Sequence, residues 1–247
     1  MSKRFLYFFL MLLFLVSGWI GSCGDDPPEP VPVTTLVITT IDENGAFIQG
    51  VKVNLYRTIP DWLTETSPAL EEKITDETGK VIFIALDSGK YYIDAQKGLL
   101  NNWEEGVIKT VVEDLENSTN ILVVESQSGL LASVDGKKWI LSTYLSNGFD
   151  AYDFLDDCIK DDLYLFYKGA GSGEFILSYE NILCNSNSGT FIAGEWKIDP
   201  NEHTLEIPTT DPFITLNWLI EDLDSTNLKV SYNNSGNNIE AGYMAVE

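Results

Sequence analysis

Few residues in this 247-residue chain are of types and spacings that do chemistry. His203 is the only histidine, in Asn201-Glu202-His203-Thr204, which argues against a histidine-built zinc site or a Cys-His nucleophile pair. Gly169-Ala170-Gly171-Ser172-Gly173 lacks the Gly-x-Ser-x-Gly spacing of a nucleophile elbow, and no Lys-Ser/Thr pair follows to hold a phosphate, so it reads as a flexible hairpin loop. Asp156-Asp157 and Asp161-Asp162 offer carboxylate oxygens that suit calcium, but they have neither EF-hand nor repeat spacing and read as solvated turns. Two carboxylates can also hydrolyse a glycoside, yet among 38 acidic residues no pair stands out. These features imply no enzyme, no cofactor and no metal.

The three cysteines are more informative. Cys23 follows a basic start at Lys3-Arg4, the apolar run Phe5 to Val16 and a stretch of small residues, an arrangement that reads as a secretion signal. Twelve apolar residues are too few for an ordinary membrane-spanning helix, which needs about 20. Ile20-Gly21-Ser22-Cys23 resembles the bacterial lipobox, which implies cleavage after residue 22 and acyl chains such as palmitate on Cys23. Several chains, at ~0.8 kcal/mol per buried methylene, would keep the mature protein on a membrane. Gly24-Asp25-Asp26 resembles the acidic tag of some surface-exported lipoproteins, and the prolines at 27, 28, 30 and 32 suit an extended tether over 23–32. The expected location is the outer membrane, facing the cell exterior. In an exported chain Cys158 and Cys184 read as a disulfide, with two buried thiols as the alternative.

Charge narrows the partners. Lys+Arg 15 less Lys3 and Arg4 leaves 13 against Asp+Glu 38, about −25 for the mature chain. Nucleic acid and anionic lipid surfaces are poor partners for such a protein.

The remaining 215 or so residues are rich in β-formers, with turn signals every 8 to 12 residues or so, and are expected to be all-β in two domains. Over 33–126, seven strands are expected at Thr35 to Ile41, Val51 to Arg57, Glu72 to Thr75, Lys80 to Ala85, Lys90 to Gln96, Val107 to Val112 and Thr119 to Glu125, a number that suits an Ig-like sandwich. The series Asp42, Asn44-Gly45, Gly50-Val51-x-Val53, Thr75-Asp76-x-x-Gly79-x-Val81-x-Phe83 and Leu86-x-x-Gly89-x-Tyr91-x-Ile93-x-Ala95 resembles carboxypeptidase regulatory-like domains. That resemblance implies a transthyretin-like sandwich and a non-catalytic accessory role. Trp62, in the insert Thr58 to Leu70, and Trp103, closing the loop from Gly98, would stack on a sugar or partner if exposed and would otherwise pack under their loops.

Over 129–247, eight strands follow at Lys138 to Leu145, Asp162 to Lys168, Glu174 to Glu180, Thr190 to Ile198, Thr204 to Pro208, Phe213 to Glu221, Asn227 to Asn233 and Ile239 to Val246. Short polar turns join most of them, which favours an up-and-down barrel. Leu131 to Trp139, the cysteine pair, Asp161-Asp162-x-Tyr164-x-Phe166, Gly194-Glu195-Trp196 and Leu228-x-Val230 together resemble the lipocalin-like domains of bacterial lipoproteins. Alternation puts Ile214, Leu216, Trp218 and Ile220 on one face, with Tyr232, Ala241 and Tyr243 on the matching faces of later strands. These residues either line a cavity for a small apolar ligand or simply fill the barrel. Asp224-Ser225-Thr226 resembles a bacterial O-glycan acceptor and otherwise reads as a turn. The function expected is a surface lipoprotein acting as a binding or assembly module toward a protein or glycan. A carrier of an apolar ligand is the alternative, with a hydrolase accessory behind it.

Overall fold

Alternation of apolar residues becomes two β bodies in the computed structural model, which describes residues 33–105, 108–113, 115–180, 182, 184, 191–199, 201–208 and 215–247. The leader, Cys23, the tether and the expected strand residues Val107, Thr190, Phe213 and Ile214 lie outside the described residues. Val33 to Glu247 forms one unit.

In the sandwich, β1 (Thr35–Ile41) lies between β4 (Lys80–Ile84), antiparallel to it, and β8 (Glu116–Leu122), parallel to it. The facing sheet is built on β5 (Gly89–Lys97). This strand pairs with β2 (Lys52–Tyr56), which carries β3 (Lys73–Ile74), and with β7 (Ile108–Val112). The short strands β6 (Leu100–Asn101) and β9 (Val124–Glu125) extend it. Period-2 alternation sends Leu36 and Ile38, Val53 and Leu55, Val81 and Phe83, and Tyr91 and Ile93 into the shared core. Full burial of such a side chain stabilises by about 1.5–3 kcal/mol.

The turns are held by aspartates: Asp76 Oδ1 accepts from the backbone N–H groups of Thr78 and Lys80, at 2.8 and 3.0 Å. Gly79 is required in that turn, because at φ +67° any Cβ would also stand 2.8 Å from the Thr40 carbonyl oxygen. Among the described residues the sandwich has nine strands where seven were expected. The last expected strand begins three residues early, at Glu116, and is broken at Val123, whose N–H makes the closing bond of the parallel ladder to Ile41 O before the chain passes to the other sheet as β9.

The insert also holds a helix, α1 (Ile59–Thr64). Thr58 caps it by accepting from Asp61 N–H at 3.2 Å, Pro60 sits in its first turn, and Glu65 ends it with φ 51°. A second short helix, α2 (Gln127–Leu131), is capped by Ser126 and leads into the barrel.

The barrel runs β10 (Lys137–Ser146), β12 (Leu163–Phe166), β13 (Ser172–Ser178), β14 (Phe191–Asp199), β15 (Thr204–Pro208), β16 (Thr215–Leu223), β17 (Asn227–Asn234) and β18 (Asn237–Val246). Each strand pairs antiparallel with the next, and β18 closes on β10 from Lys138↔Val246 to Ser146↔Ile239. This is the all-β sandwich and closed eight-stranded barrel that the alternation predicts. Between β10 and β12 lie β11 (Phe149–Asp150), which pairs with the end of β10, a 3-10 turn at Tyr152–Phe154 and helix α3 (Asp157–Lys160).

Candidate functional site

Among the described residues, three charged side chains meet where sandwich and barrel join, two of them fully buried. β12 ends at Phe166, and Lys168 follows it, its own N–H bonding Ser133 O at 2.8 Å. This fixes the direction of a long side chain that leaves the barrel and enters the sandwich. There its Nζ donates to Glu65 Oε1 at 2.8 Å and to Asp94 Oδ1 at 3.0 Å. The indoles of Trp62 and Trp103 cover the ammonium, with ring centroids 4.4 and 4.7 Å away. The Lys168 side chain is 0% exposed and Asp94 1%, whereas Glu65 keeps 32% of its side chain in solvent.

Each wall of this cage is fixed by local structure. Trp62 comes from α1 and donates Nε1–H to Ile93 O at 3.0 Å, while Glu65 is presented by the left-handed residue that ends that helix. Asp94 faces away from the sandwich core, the strand neighbours Ile93 and Ala95 pointing into it. Trp103 follows β6 and donates Nε1–H to Asp94 Oδ1 at 2.8 Å. Gln96 Nε2 bridges the acids, 2.7 Å from Asp94 Oδ2 and 2.7 Å from Glu65 Oε1. Asn102 pins the loop by donating to Ile93 O and accepting from Ala95 N–H. Burial, with Glu65 close by, pushes the Asp94 carboxyl above its ordinary range, against the pull of Lys168. A cleft of about 540 Å³ borders the joint, lined by Leu63, Tyr167, Lys168, Glu174 and Glu195 among others.

Of the two alternatives for Trp62 and Trp103, packing under their loops is the one observed: they are 0% and 6% exposed. Both rings turn inward because the barrel supplies a cation for them to stack on. The Gly169–Gly173 hairpin is not a loose loop. A Cβ on Gly169 would lie 1.7 Å from Ser172 O and one on Gly173 2.4 Å from Tyr167 O, and Ala170 packs against the cluster of Tyr56, Trp62 and Trp103. Lys168, Asp94 and Glu65 were missed. The available signal was a charge inside an apolar alternation, at Tyr92-Ile93-Asp94-Ala95 and Leu165-Phe166-Tyr167-Lys168.

The second set of expected site residues does converge. Trp218, Ala241 and Tyr243 are buried and Tyr232 half-buried inside the barrel. Their rings stack on one another: Trp218 on Tyr243 at 5.3 Å and on Tyr232 at 6.2 Å, with Tyr164 edge-on to Tyr243 at 5.0 Å. These aromatic groups occupy the part of the interior where the expected ligand-facing residues meet. Burial raises the Tyr164 hydroxyl to about 12 and holds that of Tyr243 well above its ordinary value, so both stay protonated. A groove of about 460 Å³ reaches Trp218 and Tyr232 from outside, but Glu202, Glu206, Asn217 and Ser231 line it, a polar mouth ill suited to an apolar molecule.

Cys158 and Cys184 form a disulfide with Cα atoms 5.2 Å apart, tying α3 to the segment after β13. His203 occupies the turn after β14, its Nδ1 3.1 Å from Gln127 Nε2. Asp162 is buried with Oδ1 unpartnered, and desolvation together with Asp161 and Glu180 pushes its carboxyl up to about 7. Among the described residues no three His, Cys, Asp or Glu side chains converge as a metal set would. Asp224 closes the turn before β17 by accepting from Thr226 and Asn227 N–H, at 2.6 and 2.8 Å. No helix among the described residues is long and apolar enough to cross a membrane.

No family model and no curated protein matches the chain. Solved structures similar to it include a Streptococcal ancillary pilin, with a TM-score of 0.30 and 10% identity over 69% of this chain. The shaft pilin SpaA of Lactobacillus rhamnosus GG has a TM-score of 0.30 and 10% identity, covering 75% of this chain and 92% of its own. The major pilin subunit BcpA of Bacillus cereus has a TM-score of 0.29 and 7% identity, covering 87% and 95%. The chain spans 60% of the ancillary pilin's length.

Proposed function

We propose that this chain is a non-catalytic binding or assembly module of the cell surface, held to the outer membrane through acylated Cys23, in which sandwich and barrel act as one rigid piece. The observation that carries the rigid-piece reading is the joint: a fully buried lysine of one body held by two carboxylates and two indoles of the other. A flexible tandem would not bury a charge between its halves, since an ammonium without its partners costs several kcal/mol in a dry interior. The anchor reading is supported by the residues from Lys3 to Cys23. The regulatory-like resemblance supports an accessory role, with a protein or glycan as the partner class. The close-packed barrel favours this over carriage of an apolar ligand.

Fractionation of the source cells tests the anchor and the location. The full chain is expected in the membrane fraction and open to protease added to intact cells, and Cys23→Ala should move it to a soluble exported or uncleaved precursor form. Recovery of the unaltered chain from the cytosol would overturn the proposal.

A further inference from the structure

We infer that Lys168 and Asp94 are the two halves of an amide bond, formed by the protein on itself, that links barrel to sandwich covalently. An amine and a carboxyl group stand 3.0 Å apart, both closed off from solvent, and a second carboxylate touches the same nitrogen at 2.8 Å. Those are the parts a condensation needs. Reactive groups held in this way have effective molarities of about 10⁵–10⁸ M, and the exclusion of water favours the direction that releases it.

The step balances without any co-reactant. A proton passes from the ammonium to the carboxylate, leaving a neutral amine against a neutral acid; burial of Asp94 favours that exchange. The Nζ lone pair attacks Cγ, the C–N bond forms, and negative charge gathers on Oδ1, where Trp103 Nε1–H already donates at 2.8 Å. Glu65 takes the surplus proton from Nζ and returns it to the departing oxygen, Oδ2, on the side where Gln96 bridges the two acids. The C–Oδ2 bond breaks, one water leaves, and Glu65 ends as it began. Glu65 suits this shuttle because it is the one carboxylate of the pair with an opening to solvent, through which water can depart.

The product keeps the polar partners of its precursors: the new N–H points to Glu65, the retained carbonyl to Trp103, and the two indoles cover its faces. The inference rests on the closed joint and not on the anchor, so a chain found elsewhere in the cell would still carry the link.

Peptide mapping of the full chain, reduced and denatured before digestion, provides the test. The expected result is a branched peptide containing both Lys168 and Asp94, lighter by one water than its two linear parts together. Separate linear peptides at unmodified masses would overturn the inference, as would a branch through Glu65 in place of Asp94. Lys168→Arg supplies the unbranched control. Glu65→Gln should lose the branched peptide while the folded chain keeps a buried tryptophan emission; a branch that persists in this variant would remove Glu65 from the chemistry. The map of the unaltered chain decides the main point even if a variant fails to fold.

Discussion

Replacing Lys168 with methionine removes the ammonium and keeps most of the apolar stem, which isolates the charge at the joint. In the substituted protein Asp94 remains buried beside Glu65 and loses its counter-charge. Breaking a buried pair by removing one partner costs about 3–5 kcal/mol, because the surviving charge is left without compensation. An amide at this place adds the constraint of a loop closed across 74 residues, a further ~4 kcal/mol in the chain-entropy picture. The size of the loss therefore distinguishes the two forms of the joint.

The pH dependence has a definite sign. Asp94 without Lys168 has a folded pKa raised above its unfolded value of about 3.9, so the folded state binds the extra proton and stability falls as pH rises from about 4. The deficit of the variant should be greatest near neutral pH and shrink toward pH 4. Urea unfolding followed by tryptophan fluorescence reads both effects, since Trp62 and Trp103 report on the joint directly. A loss below about 1 kcal/mol at pH 7, the value of an exposed pair, would refute the account of the joint.

Further perturbations test other parts of the molecule. Cys158→Ser with Cys184→Ser opens a loop of sequence separation 26 and should destabilise the barrel by about 3 kcal/mol, read from denaturant midpoints under non-reducing conditions. Ala241→Phe adds a ring to an interior already filled by Trp218 and Tyr243, with an expected loss of about 1–3 kcal/mol; a variant as stable as the parent would show unfilled space in the barrel. Asp162, whose folded carboxyl is raised to about 7, weakens the fold as pH climbs from about 4 toward 7, so Asp162→Asn should flatten that part of a Tm-against-pH curve.

How much of this was legible in the sequence depended on the range of the forces involved. The strands were readable because alternation is local: Leu36 and Ile38, or Leu228 and Val230, declare their face without reference to a partner. The cysteine pair followed from arithmetic. The two-residue strands β6 and β9 and the six-residue α1 were not legible, since segments so short carry no period and are held by what they pack on. Trp62 and Trp103 were identified as unusual, but their direction depended on a lysine 106 and 65 residues further along the chain. Glu65 had no signal at all: its role comes from ending a helix with positive φ, a place more often given to glycine or asparagine.

Why a lysine should hold such a joint follows from comparing it with an apolar contact. Apolar surfaces gain nearly as much when slid by a few ångströms, so a greasy interface between sandwich and barrel would tolerate several docked arrangements. The ammonium of Lys168 has one place where two carboxylates and two indoles meet it at once; shifted by one side chain, it would sit dry and unpaired against Trp62, at a cost of several kcal/mol. Net stability gained from a buried pair is small, because desolvation offsets attraction, but the penalty for wrong docking is large. The joint thus selects one orientation of the two bodies more than it stabilises them. For a module that presents a fixed surface to a partner, that selection is what the charge contributes, and an amide across the same atoms would make it permanent.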